Sequence, residues 1–371
     1  MKILIRYIFF EFFPPLFVGI AFFTFILTLP QLKEIIQLKI NNNIPTSTIL
    51  RILVYLIPIT ATLTIPMGVL FSAIFSLSRL SGDNEIVAIS ATGVTFKVVL
   101  IPTILFGVFM TFISFIFVNY ITPEANLRYQ TLYLNMIYSN PGIVLEKRQF
   151  INVPNSNKKI AAIETSKDGR SMRWVFLYED NQEEKEEIFI QAERGKWVNN
   201  EINSQLITLE LEEGQLLRIN KDSLNEIEKS KFDKISINIK NEVKQIDLVE
   251  KSPTNMSALV LNSLANEQKQ QNNNVDSSIL IELHKKISYP LACVIFVLIA
   301  LPLSITSNRS GSGISFGLTT VIIFFYYLLM VAGETMGKQG LINPSISMYI
   351  PASITVSLAF FLLWQRIYSK F

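Results

Sequence analysis

RLSGDNEIVAISATGVTFK, residues 79–97, lies between two apolar runs, 52–77 and 98–121, neither of which contains a charged residue. Asp83 is placed to accept hydrogen bonds from the free backbone N–H groups of a helix starting at Asn84. Glu85 adds a second negative charge in the same first turn, where the helix dipole favours it. Gly93 follows as a C-terminal stop. Between these signals Ile86, Val87, Ile89 and Ser90 make a narrow, mostly apolar face. Such a helix has roughly two to three turns, too few to cross about 30 Å of hydrocarbon. Two readings stay open. A surface turn joining two membrane spans accounts for the spacing by itself. A short helix, acidic at its start and tethered by two spans, is suited to being held against something outside the bilayer.

Composition bounds the class. Half of the residues are hydrophobic and only 17% are charged, and a mean hydropathy of +0.36 is too high for a soluble domain of this length. The apolar excess sits in two blocks at the ends of the chain with a polar middle between them, the pattern of an integral membrane protein with a water-soluble insert. The formal net charge of +3 gives no reason to expect nucleic acid as a partner. Cys293 is the one cysteine, so no internal disulfide forms, and His284 is the one histidine, which excludes a His-based metal cluster. No metal and no cofactor is expected.

Taken in order, Lys2 and Arg6 precede a run over 12–32 that is long and has no small-residue cleavage site after it, so it reads as an uncleaved first transmembrane helix. The runs 52–77 and 98–121 are the second and third, with Pro58 and Pro66 inside the second, where they kink a helix and free carbonyls. From 124 to 276 the chain is polar and alternates with a period of two: Trp174, Phe176, Tyr178; Ile207, Leu209, Leu211; Leu217, Ile219; Ile235, Ile237, Ile239. Turn signals at Asp168-Gly169, Gly195 and Gly214 interrupt it. Short alternating strands of this kind make an antiparallel sandwich or curled sheet with one covered face. The acidic run 179–187 is a solvated hairpin, and 252–278 is a polar connector with one short helix over 256–267. Three further runs, 287–305, 314–332 and 348–364, complete six spans in a three-plus-three arrangement. The expected domains are 1–122 with the short helix near 83–92, an all-β insert over 123–250, a connector over 251–286, and 287–371.

None of the six runs carries an internal charge. Ion-driven carriers keep an ionisable or coordinating group near the midplane, so the energy for any transport comes from elsewhere. The chain has no phosphate-binding loop of its own, and Gly311, Gly313 and Gly317 miss the dinucleotide spacing and follow a span rather than a strand. A permease powered by a separate ATPase fits both absences, with the helix at 83–92 as its docking element. With the N-terminus inside, inner loops carry Lys2, Arg6, Arg79, Lys97, Arg309, Arg366 and Lys370, and the outer boundary carries Lys33, Lys39, Arg51, Arg128, Lys285, Lys286 and Lys338. The count is a tie, so the positive-inside rule does not set the orientation. The outer cations are either snorkelling anchors or the rim of an entrance for an anionic amphiphile.

Several stretches resemble one family. Leu283-His284-Lys285-Lys286, Tyr289-Pro290-Leu291-Ala292-Cys293, Leu301-Pro302-Leu303, Ser315-Phe316-Gly317 and Phe325-Tyr326-Tyr327-Leu328-Leu329 followed by Gly333-Glu334 look like the LptF/LptG permeases. Ile65-Pro66-Met67-Gly68 and 80–88, LSGDNEIVA, resemble that family's second span and coupling helix. The resemblance runs through the whole chain in order and is weakest in the insert. It implies a pair of related permeases bound to a dimeric ATPase of the ABC type on the cytoplasmic side. Together they extract lipopolysaccharide, or a similar anionic glycolipid, from the outer leaflet of the bacterial inner membrane. It implies that the insert is a periplasmic β-jellyroll handing lipid to a bridge of similar jellyrolls, and that both termini are cytoplasmic. Carried over by position, Glu85 meets basic residues of the ATPase, with Asp83, Ile86 and Ile89 beside it. Lys33, Lys39 and Arg51 are the candidates for gripping lipid phosphates. Ser90 stands where the family is often basic, a departure that bears on the detail of the ATPase contact. Two other classes predict different companions: an ABC permease for lipoprotein release or mechanotransmission binds another cargo, and a non-transporting scaffold binds no ATPase.

Overall fold

The computed structural model describes residues 2–42, 45–92, 97–139, 151–152, 158–166, 171–181, 186–199, 206–220, 227–240, 252–272, 275–304 and 312–368. The chain forms two compact units. One comprises Met1–Leu29, Tyr55–Asn126 and Ser252–Phe371, the other Pro30–Val54 and Leu127–Lys251.

The first unit is helical. Helices α1 (Lys2–Glu11), α2 (Phe13–Asn42) and α3 (Thr46–Gly82) are followed by the short α4 (Glu85–Ala91) and by α5 (Lys97–Ile116). Helix α5 passes through a π-helical turn, Phe117–Ile121, into α6 (Thr122–Ser139). After the polar middle come α7 (Ala258–Asn272), α8 (Ser277–Ser304), α9 (Ser312–Lys338), the one-turn α10 (Pro344–Ser347) and α11 (Ile350–Tyr368). Five helical segments are long and apolar enough to cross a membrane: Lys2–Ile36, Thr46–Gly82, Lys97–Leu134, Ser277–Ser304 and Gly313–Lys338. The sixth expected run, 348–364, begins two residues later than its stretch of sequence suggests: Asn343 accepts a hydrogen bond from the Ser345 N–H, which starts α10 as a separate turn, and α11 follows from Ile350, its apolar part Ile350–Gln365 shorter than the five long segments. The third expected run also ends differently, because the helix continues past residue 121 to Ser139 instead of giving way to strands.

Apolar side chains on the facing stripes of these helices bury one another. Phe12 and Phe106 stack with ring centroids 4.8 Å apart, and Leu70, Ala73, Ile74, Phe296, Val297 and Ala300 are fully buried in the same cluster. Hydroxyls supply the remaining adhesion, as is usual where water does not compete. Thr24 and Thr64 share a hydrogen bond of 2.8 Å, Thr62 and Thr122 one of 2.9 Å, and Tyr327 donates to the Leu63 carbonyl at 3.0 Å.

The second unit holds a six-stranded antiparallel sheet in the order β1 (Ile151–Asn152), β2 (Lys158–Thr165), β3 (Ser171–Asn181), β4 (Glu186–Asn199), β5 (Leu206–Asn220) and β6 (Ile227–Lys240). Each strand pairs with its neighbour in sequence, and the acidic run expected to form a hairpin lies at the β3–β4 junction, where Asn181 faces Glu186. A crease crosses the long strands. Pairing skips Ile163, Trp174, Glu193, Glu213 and Asp233, one per strand on one line, while the residues on either side stay in register. Trp174 and Glu213 adopt positive φ, 53° and 54°, a conformation that turns a strand and that bulky residues seldom take. The inward-facing parity switches there: Val175 and Leu177 against Met172 on β3, Ile190 and Ala192 against Trp197 on β4, with all of them in one apolar cluster. The two arms meet at Gly195, where a Cβ would lie 2.7 Å from Val175 Cγ2. The expected stripe Trp174, Phe176, Tyr178 is therefore the other face. Both faces of β3 are apolar, and periodicity alone does not choose between them.

Candidate functional site

The stretch around Glu85 sits where α3 hands over to α4. The Asp83 N–H bonds the Arg79 carbonyl at 2.9 Å, so Asp83 still belongs to the end of α3. Asn84 takes φ 58°, a left-handed value that Asn tolerates because its short side chain bonds locally. Its carbonyl accepts the Ala88 N–H at 2.9 Å, so Asn84 holds the cap position that spacing alone gives to Asp83, and α4 starts at Glu85. Ile86 is 7% exposed and packs into the first unit's core, whereas Val87 is 62% exposed. Ile86 thus anchors α4 from within, and Glu85, Val87 and the half-buried Ile89 remain at its surface. Gly93 and the side chain of Ser90 lie outside the described residues.

Glu85 is not isolated. The Tyr7 hydroxyl donates to its carboxylate at 3.1 Å, and Arg79 Nη2 donates to the Tyr7 oxygen at 3.4 Å. The same Arg79 nitrogen lies 3.0 Å from Glu11 Oε1. The Ser76 hydroxyl donates to the Glu11 carbonyl at 3.0 Å, and the Ser72 hydroxyl to the Phe12 carbonyl. A chain of polar contacts, Glu11–Arg79–Tyr7–Glu85, therefore ties α1, α3 and α4 together at one end of the helices. Sequence spacing does not reveal it, since Tyr7 and Glu85 are 78 residues apart. One signal was available: Glu11 is the single acidic residue in the first 33, and an acid next to an apolar run needs a partner.

The cations assigned to the outer boundary part company. Lys33 and Arg51 are exposed, on α2 and α3 respectively, and among the described residues neither forms an ion pair. They flank a small apolar cluster in the second unit in which Ile35, Ile49 and Ile52 pack against Tyr129, Leu132 and Tyr133. The two tyrosine rings stack 6.0 Å apart, and Tyr133 donates to Glu34 at 3.5 Å. The side chain of Lys39 lies outside the described residues. Lys285 is already neutralised, 2.9 Å from Glu282 and 2.7 Å from Glu334, and Lys338 also lies 2.6 Å from Glu334. Lys286 is buried and faces backbone carbonyls. Of the five of these six cations whose side chains are described, Lys33 and Arg51 are the ones whose charge is available to an anion at the surface.

Among the described residues no group of three or more His, Cys, Asp or Glu side chains is arranged to hold a metal ion. The arrangement offers a short helix with a partly exposed acidic start on one unit and, on the other, two exposed cations that form no ion pair among the described residues.

Comparison with known proteins covers almost the entire chain. A family profile described as "Lipopolysaccharide export system permease LptF/LptG" matches residues 6–365. The lipopolysaccharide export system permease protein LptF of Escherichia coli strain K12 is 22% identical over 343 residues, covering 91% of this chain and 88% of that protein. The LptF proteins of Escherichia coli O157:H7 and Shigella flexneri match with the same identity and coverage.

Proposed function

Because this chain belongs to the LptF/LptG family of lipopolysaccharide export permeases, we propose that it is one of two paired permease subunits of an ABC transporter in the bacterial inner membrane. The pair lifts an anionic glycolipid of the lipopolysaccharide type out of the outer leaflet. The chain is a permease component of a transporter and not itself an enzyme; hydrolysis of ATP falls to a separate dimeric subunit. The observation that carries the reading is the family match from residue 6 to residue 365, through both membrane blocks and the sheet between them.

In this reading six spans cross the membrane, with α11 completing the set, and both termini face the cytoplasm. Helix α4 then lies on the cytoplasmic side and docks on the ATPase through Glu85, with Val87 and Ile89 as its apolar contact and Asp83 at its edge. When the ATPase closes on ATP, α3 and α5 carry the movement of α4 into the membrane and narrow a lipid cavity between the two permeases. Lys33 and Arg51, with Lys39 further along α2, grip the lipid phosphates at headgroup depth, where a cation without an in-chain carboxylate is worth most. The creased sheet serves as a jellyroll-like half-pipe in the periplasm. Its apolar inner face, with the partly exposed Leu216, Ile235 and Ile237 packed against the buried cluster, takes the acyl chains and passes them to a periplasmic bridge protein.

Mass spectrometry of the detergent-solubilised protein, purified from its own membranes, tests this directly. Co-purification of an ATPase, a sister permease and a phosphorylated, multiply acylated glycolipid is expected. A different lipid cargo would sink the substrate assignment, and purification without any ATPase would sink the transporter reading. Glu85→Arg is expected to abolish ATPase co-purification, and unchanged association of that variant removes the docking role of α4.

A further inference from the structure

Lys286 is 4% exposed, and its ammonium group donates to the carbonyls of Val118 at 3.3 Å and Thr254 at 3.4 Å. Its neighbour Lys285 takes the two local carboxylates, Glu282 and Glu334. A buried ammonium held by carbonyl oxygens costs several kcal/mol of desolvation that an apolar side chain of the same length avoids. Plain stability therefore gives no reason for a lysine here.

The position of its partners does. Val118 lies in the π-helical turn Phe117–Ile121, where the wider turn aims carbonyls away from the regular ladder; such turns recur at working sites of helices. In the same turn the Asn119 side-chain amide donates to the Phe115 carbonyl at 3.0 Å and reaches the Lys286 carbonyl at 3.5 Å. Its oxygen accepts the Ala258 N–H at 3.1 Å. Asn126 donates to Asn255 at 2.5 Å. Residues 115–126 are the last stretch of the first unit before the chain passes into the second, and residues 254–258 lie just after it returns at Ser252. Both are tied to each other and to α8 by this one polar node.

We infer that Lys286 and Asn119 are positioning residues that hold the π-turn in register, so that a movement of α5 against α8 is delivered to the two tethers of the sheet. Loss of the extra residue from a π-turn rotates the following helix by about 100°. The node is placed to prevent that slip. This inference rests on the ATP-driven reading above.

The test uses the permease pair with its ATPase in phospholipid vesicles containing rough-type lipopolysaccharide, with a photoreactive amino acid at Ile235, which faces Leu211 across the β5–β6 pair and is partly exposed on the inner face of the sheet. Two quantities are read: ATP hydrolysis, and lipid crosslinked to the sheet per ATP hydrolysed. Lys286→Met is expected to assemble with the ATPase and hydrolyse ATP within about two-fold of the parent. Crosslinking per ATP is expected to fall roughly ten-fold, the scale of a lost charge-assisted hydrogen bond. Lys286→Gln retains two donors for the same carbonyls and is expected to recover part of the loss; it decides the matter if the Met variant does not assemble. Lipid delivery per ATP equal to the parent in either Lys286→Met or Asn119→Leu overturns the inference. So does a fall in delivery that only tracks a fall in hydrolysis, the signature of mere misfolding. Absence of ATP-dependent crosslinking in the parent protein overturns the transport reading and this inference with it.

Discussion

Glu11, Arg79, Tyr7 and Glu85 meet through the tips of side chains that remain partly exposed, whereas the buried side chains of Asn119 and Lys286 bond backbone groups of Phe115, Val118, Thr254 and Ala258. The first cluster joins α1, α3 and α4, and the second joins α5, its π-turn, α7 and α8. Their energetics differ in kind. A contact between exposed charges is screened and replaceable, so an incoming protein can rewrite it at little cost. A contact to a buried backbone group has no substitute, so it transmits displacement instead of yielding to it. The first cluster is therefore the more exchangeable of the two and the second the more rigid.

The contrast is sharpest in thermal unfolding of the detergent-solubilised chain. Asn119→Leu strands the Ala258 N–H and removes the bond to Lys286, and it is expected to cost about 2–4 kcal/mol, the largest effect in this set. A loss no bigger than that of an exposed pair would erase the distinction between the two clusters. Gly333→Ala probes a second contact made to backbone, between α9 and α10: a Cβ there would lie 2.5 Å from the Ser347 carbonyl oxygen, a backbone atom that cannot swing aside. About 1–3 kcal/mol of destabilisation is expected from that overpacking, and an unchanged midpoint would mean that α9 and α10 separate easily. Glu11→Gln removes the Arg79 ion pair, whose side chains are 41% and 24% exposed, and is expected to cost under about 1 kcal/mol, vanishing in high salt. A cost that persists in high salt would show that this cluster too is rigid.

The parts legible in the sequence were those set by a single local period. Charge-free runs mark the long helices, and the Asp-Asn-Glu step marks α4 to within one residue. What escaped depends on which of two equivalent local choices the tertiary structure takes. Asp83 and Asn84 are both good caps, and α3 runs one turn further than the capping argument assumes, so Asn84 holds the cap position. Lys285 and Lys286 are adjacent and identical in type, yet one finds two carboxylates and the other two carbonyls. The alternating residues of β3 are apolar on both faces, and the crease at Trp174 reverses which set is buried. The π-turn has no local signature at all, and its purpose shows only in the contacts made by Asn119, to residues 139 and 167 positions away.

The smallest expected effect on stability carries the most specific claim about docking. Tyr7→Phe removes one hydroxyl from an exposed position, and the midpoint of unfolding is expected to shift by no more than about 0.5 kcal/mol. Its consequence for association is opposite in sign. In the isolated chain the Glu85 carboxylate is already committed to the Tyr7 hydroxyl, which Arg79 in turn supports. An ATPase that offers a cation to Glu85 must displace that hydroxyl or share the carboxylate with it. Removing the competing donor spares about 0.5–1 kcal/mol, so the ATPase is expected to bind the Tyr7→Phe permease roughly two- to five-fold more tightly, measured by titration of the solubilised pair. Weaker binding would mean that Tyr7 itself touches the ATPase or that it orients Glu85 for the contact. The exposed cluster would then be a prebuilt part of the interface, not a set of bonds waiting to be exchanged.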